Sequence, residues 1–240
     1  NPKELYSISL GSAETTLLKL TSAYCSFING GKLIEPIYID RIQDSEGHTI
    51  FNSEKRVCDR CEAISYLGNN YPKIKDNFIQ IFSEETAYQL TSMLEGAVQR
   101  GTGRGLKDLN LNLAGKTGTT NKNTDAWFIG FTSNIVVGVY VGFDEPKTLG
   151  KIETGARAAL PIFKIFMKNA VKRKDSRPFK VAKNIKMMVV DPITGEKAKF
   201  GSKKTIIEVY KKENIKNLNF NLNNSNLKYR FNKHNILQFY

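Results

Sequence analysis

Three neighbouring stretches with strand character most constrain how this chain can fold. They are Asn112–Thr117, Ala126–Thr132 and Ile135–Phe143. Only Ser133-Asn134 separates the last two, and a connection of two residues predicts an antiparallel hairpin. A sheet of this kind exposes apolar faces that other elements must cover. Together the three stretches predict the central sheet of a domain in which helices pack on a largely antiparallel sheet.

Helical patterns flank the three strands on both sides. Apolar residues recur near 3.6 spacing after Ser12 and Glu14, and Gly30-Gly31 ends this pattern. A second helix is predicted to begin at Ser83, and a third to cover about Gly155 to Val171. Further strands are predicted at Leu33–Ile42, Thr49–Phe51 and Lys186–Val190, with loops at 52–80 and 99–105. The order predicts an α/β (α+β) fold.

Charge divides the chain into two parts. Of a net charge of +13 over 240 residues, residues 171–240 contribute +12, from 17 basic and 5 acidic side chains. We expect a folded domain over 1–200 and a basic, Asn/Lys-rich, poorly ordered tail over 201–240. A nucleic-acid-binding module is one interpretation of this charge, but the tail lacks a binding motif and interleaved stacking aromatics. A second interpretation is a drift of composition toward Lys, Asn and Ile. A third is an electrostatic contact of the tail with anionic membrane or wall polymer.

The cysteines leave two alternatives open. Cys58 and Cys61 form a single CxxC in a polar stretch, and Cys25 stands alone in a helical pattern. One CxxC can be a small disulfide loop or half of a zinc site. His48 and His234 are isolated and do not supply the other half. A structural or incidental role is favoured over zinc. We expect no metal, and we also expect no cofactor.

One motif carries chemistry. Lys116-Thr117-Gly118 and Thr119 lie on a predicted edge strand, where alternation places Lys116 and Gly118 on one face and the two threonines on the other. Such a strand can bind an extended peptide with its carboxylate near the lysine and hydroxyl groups. A tripeptide recurs by chance, however. Taken alone it favours a strand end with a solvated lysine.

The context of the motif changes this interpretation. KTG is a motif of penicillin-binding proteins and serine β-lactamases. Other stretches stand around it in a fixed order: LGSAETT, INGGK, EPIYIDRI, TAYQLTSMLEGAVQRGTG, AGKTGTT, DAWFIGF, VGVYVGFDEP and ETGARAALPIF. From about Ser9 to Lys199 the chain resembles the C-terminal part of the transpeptidase domain of class A bifunctional penicillin-binding proteins. The resemblance implies a partial penicillin-binding/β-lactamase-like transpeptidase fold, and it favours a penicillin-binding protein over a β-lactamase.

Two family motifs, SxxK with the nucleophilic serine and SxN, should precede KTG. Neither occurs before Lys116, and the one SxxK string, Ser225–Lys228, stands after it in the tail. We therefore expect a fragment that begins just past SxN, with the nucleophile absent and no activity by itself. The alternative is a non-catalytic remnant of a split or decaying gene.

The resemblance also implies roles for the motif residues. In the family a serine attacks the penultimate D-Ala of a peptidoglycan stem peptide, and β-lactams acylate the same serine. Lys116 would place positive charge beside the serine and the substrate carboxylate, which Thr117 and Thr119 would bind. The Thr119 N–H would form half of the oxyanion hole, and Gly118 would allow close approach. Gly101-Thr102-Gly103 would shape the cleft rim.

Further expectations come from the apolar strand pattern and from the resemblance. Trp127 and Phe128 are expected in the sheet core rather than in ligand contacts. The parent protein would work at the periplasmic face of the bacterial inner membrane, tethered by a part missing here. β-Lactams would bind only if the serine-bearing part is supplied, and no nucleic acid is expected to bind. In the periplasm Cys58 and Cys61 could pair.

Overall fold

The structure is a computed structural model of the 240-residue chain. It describes residues 6–11, 13–54, 56–59, 61, 71–75, 77–172, 176–202 and 204–215. The predicted helix start at Ser12 and the string Ser225–Lys228 therefore lie outside the described residues.

The elements follow one another in mixed order. The α-helices are α1 (Leu17–Ile28), α2 (Glu84–Gln99), α3 (Leu160–Ala170) and α4 (Lys212–Ile215). The strands are β1 (Arg41–Gln43), β2 (Thr49–Asn52), β3 (Val57–Asp59), β4 (Lys73–Lys75), β5 (Ala114–Thr119), β6 (Asp125–Phe131), β7 (Val136–Gly142), β8 (Ile185–Val190) and β9 (Ile206–Lys211). Short 3-10 helices cover Tyr6–Leu10, Arg104–Leu109 and Asn121–Asn123, and a π-type turn, Gly155–Ala159, leads into α3.

A three-stranded antiparallel sheet, β5-β6-β7, forms the centre of the fold. The predicted hairpin at Ser133-Asn134 is confirmed, because Phe131 pairs with Val136 across that turn. Side chains alternate between the faces of a strand, so Phe128 and Phe131 enter different cores. Phe128 packs with Phe163 of α3, whereas Phe131 packs with residues of α1 and α2. Both aromatic rings are fully buried. The helices therefore cover both faces of the sheet, as an α+β fold requires.

Capping residues set the beginnings of the first two long helices. The Thr16 hydroxyl accepts a hydrogen bond from the Lys19 N–H, and α1 begins at the next residue. Ser83 caps α2 in the same way by accepting from Thr86, and Glu84 and Glu85 follow in the first turn. Acidic side chains near a helix N-terminus are favoured by the helix dipole. The helix predicted from Ser83 is confirmed at its start.

Several elements differ from the patterns. The strand predicted at Leu33–Ile42 is wrong over most of its length, since only Arg41–Gln43 forms a strand. Pro36 lies within the stretch and has no N–H to give to a strand ladder. β9 is not predicted by any sequence pattern; it lies in the segment treated as a tail and pairs along its length with β8. Residues 216–240 lie outside the described part.

The small hairpins carry the paired cysteines. β3 pairs with β4, and Cys58 is disulfide-bonded to Cys61 with their Cα atoms 5.6 Å apart. Of the two alternatives for the CxxC, the structure therefore has the disulfide. Among the residues that the structure describes, no group of three or more His, Cys, Asp or Glu could hold a metal ion. No described helix is both long and apolar enough to span a membrane.

Candidate active-site edge

The KTG motif lies on an edge of the central sheet. β5 carries Lys116–Thr119 and pairs on one side with β6. No other described strand pairs with its second side. Lys116 and Thr119 are exposed, while Thr117 and Gly118 are half-buried. An open strand edge offers unpaired backbone groups to an extended ligand.

The backbone N–H of Thr119 points toward this open edge. At the end of the hairpin the Thr120 N–H donates to the Asp125 carbonyl at 3.2 Å, toward β6. Successive residues of a strand direct their N–H groups to opposite sides. The N–H groups of Thr117 and Thr119 therefore face away from β6, where a ligand can receive them.

Thr117 is held by a second hydroxyl from the loop after α2. Its Oγ1 lies 2.9 Å from Thr102 Oγ1, at hydrogen-bond distance. The loop itself is packed closely on α2, because a Cβ on Gly101 would lie 2.9 Å from the Ala97 carbonyl oxygen. The Gly101–Gly103 segment thus contacts the motif directly through Thr102.

Thr119 is held by the turn before α3. Its Oγ1 accepts a hydrogen bond of 3.0 Å from the Gly155 N–H. A hydroxyl that accepts a bond keeps its own proton for donation. The Thr119 hydroxyl can therefore still donate to a carboxylate. Gly155 is necessary for this contact, since an added Cβ would lie 2.4 Å from Trp127 O and 2.5 Å from Gly118 O.

The other face of the motif carries the lysine and the glycine. Lys116 Nζ donates to the Thr117 carbonyl at 2.7 Å and is otherwise placed at the surface. A Cβ on Gly118 would lie 3.0 Å from the Cβ of Trp127 across the strands. The glycine therefore relieves crowding within the sheet, in addition to any approach of a ligand.

The two aromatic residues of β6 have different surroundings. Phe128 is buried in the core as predicted. Trp127 is only half-buried, and its ring packs edge-on against Tyr140 with the centroids 4.7 Å apart. Trp127 thus lies on the face that carries Lys116 and Gly118, outside the buried core, because it is opposite Gly118 in the register.

The turn after β5 is fixed by a residue that sequence patterns missed. The Asn123 side-chain amide donates to the carbonyls of Gly150 and Lys151, both at 3.0 Å. Asn123 has a positive φ of 51°, a conformation that asparagine tolerates better than most residues. Asn123 lies between two of the stretches that carry the family resemblance and Gly155 lies inside another, but no chemical rule singles them out before the fold is known.

The arrangement can bind a carboxylate but does not complete a catalytic site. A positive charge, two threonine hydroxyls and an edge-directed N–H belong to four consecutive residues of β5, and Lys116 Nζ reaches the Thr117 carbonyl from the other face of the strand. These groups suit the terminal carboxylate of an extended peptide. The sequence before Lys116 contains no SxxK serine to act as nucleophile.

Comparisons with known proteins agree with this geometry. Residues 2–168 match the family described as the penicillin binding protein transpeptidase domain. The chain is 47% identical over 219 residues to penicillin-binding protein 1A of Rickettsia prowazekii, covering 90% of this chain and 27% of that protein. It is 34% identical to penicillin-binding protein 1A of Pseudomonas aeruginosa, covering 87% of this chain and 29% of that one.

A solved structure shows the same fold. The crystal structure of penicillin-binding protein 1A from Haemophilus influenzae superposes with a TM-score of 0.67 at 28% identity, covering 84% of this chain and 33% of that one. The chain thus spans under a third of the length of the relatives it matches. The family match covers most of its residues. This chain belongs to the penicillin-binding protein transpeptidase family.

Proposed function

We propose that this chain forms the carboxylate-binding edge of the active site in a peptidoglycan D,D-transpeptidase of the penicillin-binding protein 1A type. One observation carries the proposal: Lys116–Thr119 lie on an open strand edge, with both threonine hydroxyls held in place by neighbouring loops. Because these loops hold the hydroxyls before a ligand arrives, little reorganisation is needed to bind a carboxylate.

The proposed reaction is acyl transfer between stem peptides. A serine supplied outside this chain attacks the carbonyl carbon of the penultimate D-Ala, and the bond to the terminal D-Ala breaks. An amine of a neighbouring stem then attacks the acyl-serine and forms the cross-link, which releases the serine. In the first step negative charge develops on the carbonyl oxygen, and the Thr119 N–H at the open edge stabilises it. Lys116 and the hydroxyls of Thr117 and Thr119 hold the terminal carboxylate.

Two exposed surfaces around the sheet support contact with a further part of the same transpeptidase domain. β7 is the second edge of the sheet among the described strands. On α3, the side chains of Ile162, Ile165 and Phe166 lie along one face and are 51%, 64% and 48% exposed. Exposed apolar patches of this kind mark interfaces or promote aggregation. We propose that a serine-bearing N-terminal part covers these surfaces and restores the site.

The proposed location follows from the same reaction. Peptidoglycan stem peptides lie outside the cytoplasm, so the parent protein would act at the periplasmic face of the inner membrane, held by a part outside this chain. The Cys58–Cys61 disulfide agrees with an oxidising compartment. β-Lactams would react with the parent site, where the serine is present.

Labelling with a fluorescent penicillin tests the proposal in two steps. The 240-residue chain alone should form no labelled band at 27.1 kDa, because it supplies no SxxK serine. A chimera in which this segment replaces the matching part of the Rickettsia prowazekii protein should be labelled. In that chimera Lys116→Ala should slow labelling by at least about tenfold, on the scale of one charge-assisted contact.

The matched control is Lys122→Ala, which removes an exposed lysine just beyond the same strand. It should leave labelling of the chimera unchanged. A labelled band for the isolated chain would contradict the assigned absence of a nucleophile. Equal labelling rates of the Lys116→Ala and Lys122→Ala chimeras would refute the role of the KTG edge.

A further inference from the structure

A cavity of about 390 Å³ lies at the end of the central sheet opposite the motif residues. Its wall includes the hairpin turn at Ser133 and Asn134, whereas Thr119 pairs with Ala126 at the other end of β6. Phe131 follows Ala126 by five positions in the strand, which is ~17 Å at 3.4 Å per residue. None of the residues Lys116–Thr119 lines the cavity. It is therefore separate from the candidate active-site edge.

Apolar side chains form much of the wall. Phe27 from α1, Tyr88 from α2 and Phe179 from the segment before β8 line the cavity together. Tyr88 and Phe179 are 7% and 8% exposed, so their rings are packed in position rather than free to collapse inward. The volume falls at the lower end of the range of ligand sites, which is about 300–1,000 Å³. The wall thus suits a compact apolar group.

The charged residues of the wall are mostly basic. Lys32, Arg177 and Lys180 carry positive charge there, and Glu84 is the one acidic residue among those that line the cavity. Within the described part of the chain, neither Arg177 nor Lys180 is in an ion pair or side-chain hydrogen bond. The residues that line the cavity therefore carry a net charge of +2. Positive charge beside apolar side chains favours an anionic ligand.

Hydrogen-bonding groups of the wall point to the same class of ligand. Asn29 lines the cavity, and its side-chain amide nitrogen is buried without a hydrogen-bond partner in the described structure. An unpaired buried donor is costly, so it favours an acceptor nearby. Burial, followed by the charge of Glu95, raises the pKa of Tyr88 to about 12, which keeps its hydroxyl protonated as a donor. The hydroxyls of Thr91 and Ser133 already donate within the protein.

We propose that this cavity binds a small carboxylate that carries a compact apolar body, such as an aryl or branched alkyl group. The carboxylate lies toward Arg177 and Lys180, and the apolar body lies against Tyr88 and Phe179. The ligand can be a free carboxylic acid or the end of a peptide with an aromatic terminal residue, since both present the same groups. The inference does not depend on the proposed transpeptidase function.

Titration of the full chain, followed by amide NMR shifts, tests the proposal with four probes. Hydrocinnamate carries both groups, hydrocinnamamide lacks the charge, acetate lacks the apolar body, and N-acetylphenylalanine represents a peptide end. We expect saturable shifts around the cavity for hydrocinnamate or N-acetylphenylalanine below about 10 mM, and binding at least about tenfold weaker for the other two probes. The tighter of the two binders identifies the source.

Two double variants separate the site from general charge. Arg177→Gln with Lys180→Gln should weaken binding of the carboxylate probe at least about fivefold, whereas Lys168→Gln with Lys172→Gln, which removes the same charge away from the cavity, should not. The side chains of Arg177 and Lys180 are both exposed, so replacing them should not unfold the chain. Equal loss in both double variants, equal binding of hydrocinnamamide, or no saturable shift for any probe would overturn the proposal.

Discussion

Replacing Gly155 by alanine should loosen the turn that holds the KTG strand. The new Cβ would lie 2.4 Å from the Trp127 carbonyl oxygen, 2.5 Å from the Gly118 carbonyl oxygen and 3.1 Å from the Gly118 nitrogen. These are backbone atoms of two paired strands, so they cannot rotate away as a flexible side chain can. The turn itself must therefore move outward.

The size of the effect follows from these distances. The turn must move by about 1 Å to reach ordinary van der Waals contact. A shift of that size lengthens the 3.0 Å bond from the Gly155 N–H to the Thr119 hydroxyl beyond hydrogen-bonding range. Overpacking typically costs about 1–3 kcal/mol, and the lost hydrogen bond about 1 kcal/mol. The lower backbone entropy of the unfolded alanine variant offsets about 0.4–1 kcal/mol. We expect a net loss of about 1–3.5 kcal/mol.

Urea unfolding measures this loss against a matched control. Gly105→Ala places a Cβ 3.3 Å from a terminal methyl of the Leu160 side chain, which has to yield by only a few tenths of an ångström, and near no backbone atom of a neighbouring element. Its free energy of unfolding should stay within about 0.5 kcal/mol of the unchanged chain. Hydrogen exchange at the backbone amide of position 155 should also become faster in the Gly155→Ala variant. Equal stabilities of the two variants, or an unchanged exchange rate, would refute the reasoning from close backbone contact.

Three further predictions concern other parts of the chain. Burial raises the pKa of Glu95 from 4.5 to about 7, so the folded state keeps a proton on this carboxyl at pH values at which the unfolded chain has released it. Stability should fall by about 3 kcal/mol as the pH rises from 4.5 to 7, and Glu95→Gln should abolish this slope in urea unfolding at several pH values. Alkylation of the denatured chain should add one group without reductant and three after reduction, because Cys58 and Cys61 are paired and Cys25 is free; three groups without reductant would contradict the pairing. Thr102→Val should destabilise the chain by about 1 kcal/mol by removing a hydroxyl bond to the KTG strand, and Thr102→Ser should not.

The sequence determines the local elements well where a side chain acts on its own backbone. Ser83 and the two glutamates after it mark the start of α2, because a capping oxygen and the helix dipole act within one turn. The hairpin at Ser133-Asn134 is predictable because a two-residue connection leaves little choice of pairing. The stretch Leu33–Asp40 shows the limit of this approach. Its alternation predicts a strand, but Pro36 interrupts it, and its backbone bonds to other segments lie at its ends, from the Leu33 N–H to the Ile79 carbonyl and from the Ser53 N–H to the Asp40 carbonyl.

The sequence alone also predicts the family and locates the KTG motif. KTG and the order of the stretches around it identify a penicillin-binding transpeptidase before any coordinates are known, and the family match agrees. The predicted alternation of Lys116 and Thr117 along one strand needs only the period of two. What each hydroxyl touches is a different matter, because its partners are distant in sequence.

Only the tertiary structure decided those contacts. Thr102 is 15 residues from Thr117 and Gly155 is 36 residues from Thr119, yet each lies within 3.0 Å of its partner. The pairing of β9 with β8 likewise joins a basic segment of low periodicity to the rest of the fold. Such contacts depend on how α2, the π-type turn and the sheet pack together, and packing is a property of surfaces rather than of local order along the chain. The sequence therefore determined the family and the position of the KTG motif, and the packing determined which groups hold its threonine hydroxyls at the open edge.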